Sequence, residues 1–252
     1  MEPTEFRITL PSNSSMRYFP QNTVQNYVTK LAKSINLFDP SDWTVGLSEA
    51  QIRRTWSNVR GSDVYFTFEF NHVSYTYAIP EGNYTSVKGL VDQLQKTVCV
   101  DEHVKFEFIP YINEVKLTFM KEGILKLSSN LAIILGYEVT SDSSVFVLKG
   151  SPEIGSFKTV PDLNAGIFNI YVYSDVLLPQ GVGDMQAALL RTLPIKAKFG
   201  EMMHYAFKQV HYYPVSKSFF ETIEIDLRDD AGRVLPFERG RVVIQLHFKK
   251  LS

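Results

Sequence analysis

Apolar residues recur at every second position over most of this chain, and many are β-branched or aromatic, which suits a pleated, half-buried surface. Eight stretches read as strands on that pattern: Glu5 to Leu10, Trp43 to Ile52, Asp63 to Phe70, Gly166 to Val176, Leu189 to Lys198, Met203 to His211, Phe219 to Leu227 and Arg241 to Phe248. In the last, Val242, Ile244, Leu246 and Phe248 share one face while Arg241, Val243, Gln245 and His247 take the other. Phe219 and Phe220 are both apolar, so the seventh alternates imperfectly.

Helical spacing occurs in three places. In Asn22 to Ile35, Asn22 or Thr23 is placed to cap a stripe of Val24, Tyr27, Val28, Leu31 and Ile35, which predicts a helix lying across a sheet end. A second helix is predicted from Thr85 or Ser86 to Thr97, with Val87, Leu90, Val91, Leu94 and Val98 on one side. The third is short, Leu131 to Leu135, capped by Ser128 or Ser129 and stopped by Gly136. The last two bracket strands at Val104 to Ile109 and Glu114 to Phe119, so residues 75–150 read as a small α+β insertion domain. The expected fold is mainly β: an eight-stranded antiparallel jelly-roll sandwich, its first part in residues 1–74 and its second in residues 151–252. An immunoglobulin-like sandwich has similar strand statistics, but its Cys, Trp, Cys spacing is missing.

Composition narrows the class further. With 252 residues, 44% of them hydrophobic and 13% aromatic, the chain is one large or two small globular domains and is not globally disordered. Cys99 is the single cysteine, so no internal disulfide or cysteine zinc cluster can form, which fits a reducing compartment. Twenty-six Lys and Arg against 27 Asp and Glu give a net charge of -1, without the footprint of a dedicated nucleic-acid binder. The N-terminal MEPTEFRITLPSNSS has no apolar signal region, and about 18 apolar residues never run together, so neither secretion nor a membrane span is expected. There is no solenoid repeat, and Ser141, Asp142, Ser143 and Ser144 make one short polar break. These features describe an intracellular, soluble, globular protein.

Catalytic signatures are weak. No G-x-S-x-G nucleophile elbow occurs. Gly181, Gly183 and Asp184 in LLPQGVGDMQ resemble a phosphate loop superficially, yet the third glycine and a following helix are missing, and a tight loop with positive φ between two strands is the plainer reading. His72, His103, His204, His211 and His247 include no H-x-H or H-E-x-x-H, so spacing assigns no metal ligands. Glu221, Glu224, Asp226, Asp229 and Asp230 are dense enough to suggest paired carboxylates or a hard cation site, but Asp229 to Arg233 has turn chemistry. Trp43, Trp56, Tyr65, Phe66, Phe68, Phe70, Tyr75, Tyr77, Tyr171, Tyr173, Tyr212 and Tyr213 lie mostly on alternating strands, which sends them to core and subunit interface rather than to stacked ligands. No enzyme activity, cofactor or metal is expected.

An ordered series of phrases carries a resemblance over almost the entire chain: FRITLPSNSSMRYFPQNTVQNYVTKLAKSINLFDPSDWTVGLSEAQIRRTWSNV, YAIPEGNYTSVKGLVDQL, ILKLSSNLAIILGY, NIYVYSDVLLPQGVGDMQAALLRTLPI and HYYPVSKSFFETIEIDLRDDAGRVLPFERGRVVIQLHFKK. Each phrase is degenerate, but their order resembles the vertex, or penton, protein of Polinton (Maverick) elements and adintoviruses, distant relatives of virophages. The resemblance implies a single jelly-roll minor capsid protein, a homopentamer at the fivefold vertices of an icosahedral virion, beside a double jelly-roll major capsid protein. It implies no catalytic residues. The chain departs from the family where QGVGD stands in place of a bulkier residue before Val182, and where the final basic tail is only Lys249 and Lys250.

On that resemblance, the loop Leu178 to Gln186 and the turn Asp229 to Pro236 are expected at sandwich ends, with Gln180, Gly181, Gly183, Asp184, Asp229 and Asp230 as candidate subunit or axis contacts. Residues 75–150 are expected to project outward as an accessory domain. A lectin-like or receptor-binding β-sandwich is the alternative from the aromatics and acidic loops, and a cupin-type metalloenzyme is disfavoured by the histidine spacing.

Overall fold

The computed structural model describes residues 4–60, 64–97, 104–136, 145–150, 154–155 and 159–251. Asp63, Cys99, His103 and the polar break at 141–144 lie outside the described residues. In chain order the first strands are β1 (Glu5–Pro11), β2 (Asn26–Asn36), β3 (Trp43–Arg53), β4 (Tyr65–Phe70) and β5 (Val73–Ala78). Helix α1 (Val87–Thr97) precedes β6 (Val104–Ile109), β7 (Glu114–Phe119) and β8 (Gly123–Ser128), and α2 (Ser129–Leu135) precedes β9 (Val145–Gly150) and β10 (Ile154–Gly155). Then come β11 (Asn169–Ser174), β12 (Gln180–Val182), β13 (Met185–Ala187), β14 (Leu189–Pro194), β15 (Met202–Ala206), β16 (Tyr213–Pro214), β17 (Phe219–Arg228) and β18 (Val242–Lys250). The chain forms two compact units, Met1–Trp56 with Ile167–Ser252, and Ser57–Gly166.

The first unit is a double sheet. One sheet runs β1-β18-β3-β15, with β16 also on β3, and the other runs β14-β11-β17-β2, all antiparallel. Counted along the chain, the eight long strands of this unit stand in the orders 1-8-3-6 and 5-4-7-2. That interleaving is the jelly roll expected from the strand pattern. Alternation along each strand builds the core: Val242, Ile244, Leu246 and Phe248 of β18 face Ile223, Ile225 and Leu227 of β17, and all seven are fully buried.

Two irregularities reconcile sequence patterns that break period two. On β3, Leu47 and Ala50 are an odd number apart yet both are buried, because Ser48 is an extra residue between the pairs Leu47–Leu246 and Glu49–Gln245. The Ser48 hydroxyl donates to the Gln245 carbonyl (3.0 Å) and so occupies the interrupted ladder. On β17 the register with β2 shifts between Phe220 and Thr222, so Phe220 and Ile223 both point inward while Phe219 stays exposed.

The helix expected over Asn22 to Ile35 is a strand, β2. Its i, i+4 stripe is shared by both structures, but Tyr27, Val28 and Thr29 favour pleated backbone, and β17 supplies a partner edge that outweighs local preference. Tyr27 is buried and its hydroxyl donates to the Leu10 carbonyl (3.0 Å). Asn22 caps no helix: its side chain bonds both the N–H and the carbonyl of Val28, closing the turn before the strand. Conversely, the expected sandwich strand Asp63 to Phe70 corresponds to β4, which pairs with β5 and β8 in the other unit. The eight-strand count is met because β2 takes its place.

The second unit contains the sheets β5-β4-β8-β9 and β10-β7-β6 with α1 and α2, around a core that includes Phe66, Phe68, Leu94, Phe106, Leu117 and Leu127. Both helices form as expected. The Ser128 hydroxyl accepts from the Leu131 N–H, and Gly136 closes α2 at φ 90, where an added Cβ would lie 2.5 Å from the Thr159 carbonyl oxygen.

Antiparallel alternation sorts the connections of the double sheet. Those from β1 to β2, β14 to β15 and β17 to β18 share one end with the points where the chain leaves β3 and enters β11, and those from β2 to β3, β11 to β14 and β15 to β17 share the other. The β15–β17 connection folds back over the outer face, laying the 210–211 backbone on Gly46 of β3. A Cβ on Gly46 would stand 2.2 Å from the His211 carbonyl oxygen and 2.5 Å from Val210 Cγ1. Gly46→Ala is therefore expected to displace this segment and destabilise the fold by about 1–3 kcal/mol, read as a lower urea midpoint.

Candidate assembly surfaces

The two segments singled out in the sequence lie at opposite ends of the double sheet. Residues 178–187 form a small antiparallel hairpin, β12 with β13, joined by Gly183 and Asp184. Gly183 has φ 61 with open space where a Cβ would be, so its backbone conformation, not crowding, calls for glycine. The hairpin is rooted by the Leu178 N–H on the Pro214 carbonyl (3.0 Å) and by a bond from the Gln180 side chain to the Leu189 carbonyl. Leu178 and Met185 are exposed on it. It is a protruding arm with apolar side chains, and β13, not a helix, follows Gly183 and Asp184.

The turn after β17 is built differently. Asp229 is buried, and its carboxylate accepts from the N–H groups of Ala231 (2.9 Å) and Arg233 (2.8 Å) and from Arg233 Nε (2.9 Å). Gly232 follows at φ 71. Asp230 reaches across to the start of β11, accepting from the N–H groups of Phe168 (2.7 Å) and Asn169 (2.8 Å) and from Asn169 Nδ2 (2.7 Å). Partial burial raises the Asp230 carboxyl, but the Asn169 and Phe168 donors outweigh it and hold it below the usual carboxylate value. Both carboxylates are thus spent on shaping the loop end. Asp230→Ala removes an acceptor shared by three donors, which water can partly replace at this exposed site, and is expected to cost about 0.5–1.5 kcal/mol in a thermal or urea melt.

Of the remaining acidic residues of this region, Glu221 is exposed and the other two are paired. Asp226 accepts from Arg228 Nε (2.7 Å), and Glu224 from Asn26 Nδ2 (3.2 Å). Among the described residues, no three His, Cys, Asp or Glu side chains group as metal ligands. His72 occupies the β4–β5 turn at φ 62, and His204 meets Glu49 at 2.9 Å on the open face of β15 and β3.

His247 was not distinguished by its spacing, yet it is 6% exposed on the outer face of the first sheet, roofed by the β15–β17 connection. Its Nδ1 lies 2.8 Å from the Tyr212 hydroxyl and its Nε2 3.3 Å from a Glu5 carboxylate oxygen. This geometry suits a neutral ring whose Nδ1 accepts from Tyr212. Burial and then the Arg7 guanidinium, opposite it on β1, push the imidazole below 6.5, and Glu5 only partly offsets them. The unfolded chain therefore binds the proton more readily, so the stability present above about pH 6.5 is lost as the pH falls from there toward the lower value of the folded ring. Unfolding free energy is expected to decline between about pH 7 and 5, and His247→Gln to flatten that decline.

Comparison with known proteins gives no family model and no curated protein that matches the chain. Among solved structures, the selenomethionine-labelled penton protein of mavirus is similar over 99% of this chain and 100% of its own, with 10% identity and a TM-score of 0.47. No helix among the described residues is long and apolar enough to cross a membrane.

Proposed function

We propose that this chain is a minor capsid protein of the penton kind, five copies of which close around a vertex of an icosahedral shell. The observation that carries the reading is the strand order 1-8-3-6 over 5-4-7-2, a complete jelly roll interrupted by a separately folded unit between its third and fourth strands. The ordered phrases that resemble Polinton and adintovirus vertex proteins support the same role. A double jelly-roll major capsid protein is the neighbour this role requires, and the virion its place.

A fivefold ring is a closed heterologous assembly, so each copy must present two different, complementary flanks. The double sheet has such flanks, ending in β1 and β15 on one sheet and in β14 and β2 on the other. The hairpin 178–187 adds a contact arm, with Leu178 and Met185 to bury and Gln180, Gly181, Gly183 and Asp184 setting its shape. Asp229 and Asp230 act by holding the opposite loop end in one conformation for a neighbour to meet. Ring closure makes the final contact intramolecular, so modest interfaces suffice, and a net charge of -1 limits repulsion between copies.

Native mass spectrometry and negative-stain imaging of the purified chain with its major capsid protein test this. Fivefold particles are expected, with deletion of Gly181 to Gly183 impairing ring or shell formation. A strictly monomeric protein that binds glycans and never joins a shell would replace the proposal with a lectin-like one.

A further inference from the structure

At the end of the double sheet that carries the β2–β3 connection, the space between the two sheets is open. A cleft of about 500 Å³ lies there, within the roughly 300–1,000 Å³ range of sites that hold one organic group. Its floor includes Phe6, Leu37 and Trp43. These continue an aromatic row from the core, with ring centroids 5.7 Å apart from Phe220 to Phe248, 4.8 Å from Phe248 to Phe6 and 5.4 Å from Phe6 to Trp43. One further apolar group would extend the row.

The rim is unusual in two ways. Phe38 is 78% exposed and sits at φ 57, left-handed backbone that a bulky L residue adopts only when its surroundings impose it. They do: its N–H donates to Asn36 Oδ1 (3.0 Å), and the next residue, Asp39, donates its N–H to the Leu37 carbonyl (2.7 Å). The fold thus holds a large aromatic ring at the mouth of an aromatic cleft. Beside it the charges do not balance, because Asp39 and Asp42 both line the cleft against the single ammonium of Lys250, which lies 3.7 Å from Asp42.

We propose that this cleft is a docking site for a segment of a different polypeptide in which an aromatic or branched apolar anchor stands next to lysine or arginine. The anchor buries against Phe6, Trp43 and Phe38, and the neighbouring cation meets the two carboxylates that share the one ammonium of Lys250, with added attraction from the aromatic faces. A neutral apolar ligand would gain nothing from the excess negative charge at the rim, and an acidic segment would be repelled by it. The site is independent of whether five copies close into a ring.

Trp43 provides the readout, since it lines the cleft while Trp56, the other tryptophan, is 1% exposed in the core. The full chain is titrated with acetyl-Lys-Phe-Leu-Lys-amide and, separately, with acetyl-Glu-Phe-Leu-Glu-amide while tryptophan emission is followed. The expected result is saturable binding of the basic peptide, at least about ten-fold tighter than the acidic one. Phe38→Ala should weaken it several-fold, and the pair Asp39→Asn and Asp42→Asn should reverse the charge preference, because Lys250 is then the one charge lining the cleft. Because Asp39 also caps the short turn at Ser41, a second measurement keeps the test open: about 0.5 M salt should abolish the preference in the unaltered chain. Equal affinity for the two peptides, no binding of either, or salt-independent discrimination would overturn the proposal. So would self-association that the Asp39→Asn, Asp42→Asn chain loses, because the occupant would then be a second copy.

Discussion

The double sheet depends on pairing between chain segments that are far apart in sequence. Strand β18 lies between β1 and β3, so Phe248 pairs with Phe6 on one side and with Val45 on the other. Strand β17 likewise joins β2 to β11 across a gap that contains the whole of the second unit. Until these strands are in place β1 and β2 have no ladder partner and β3 is paired only with β15 and β16, so local preference cannot by itself hold them. Such non-local closure costs chain entropy before it returns any burial, the condition under which folding is slow and cooperative.

That constraint accounts for features that look irregular in isolation. The extra Ser48 and the register shift after Phe220 keep apolar side chains facing inward where the chain alone would turn them out. Gly46 is small because a connecting segment crosses the sheet there, and His247 is buried for the same reason. Polar residues at the loop ends are consumed by the fold: Asp229 satisfies part-buried backbone N–H groups as the chain turns between the sheets, and Asp230 ties that turn to the start of β11.

The capsid role proposed for this chain would be carried by its surfaces. The molecule presents lateral edges, a hairpin arm and an open end between the sheets. A strained, exposed Phe38 is maintained at the open end by hydrogen bonds from its own neighbours, whereas comparable strain inside the second unit falls at hairpin turns such as Asn71 and His72, where the chain merely reverses.

Period-two alternation determined most of the strands, because a buried face and a wet face impose it on each strand separately; β1, β3, β6, β7, β17 and β18 stand within two residues of where the pattern puts them. Capping chemistry did the same for α2, since Ser128 and Gly136 act within a single turn. What local pattern left undecided is which strand pairs with which. Tyr27, Leu31 and Ile35 fit a helix as well as a strand, and the free edge of β17 selected the strand. β4 alternates as well as any sandwich strand, and its partners β5 and β8 placed it elsewhere. The same holds for the surfaces: Gly183 was legible as a turn from its own backbone, but the burial of His247, the use of Asp230 and the cleft beside Phe38 exist only once residues distant in the chain are brought together, and no periodicity within one segment encodes them.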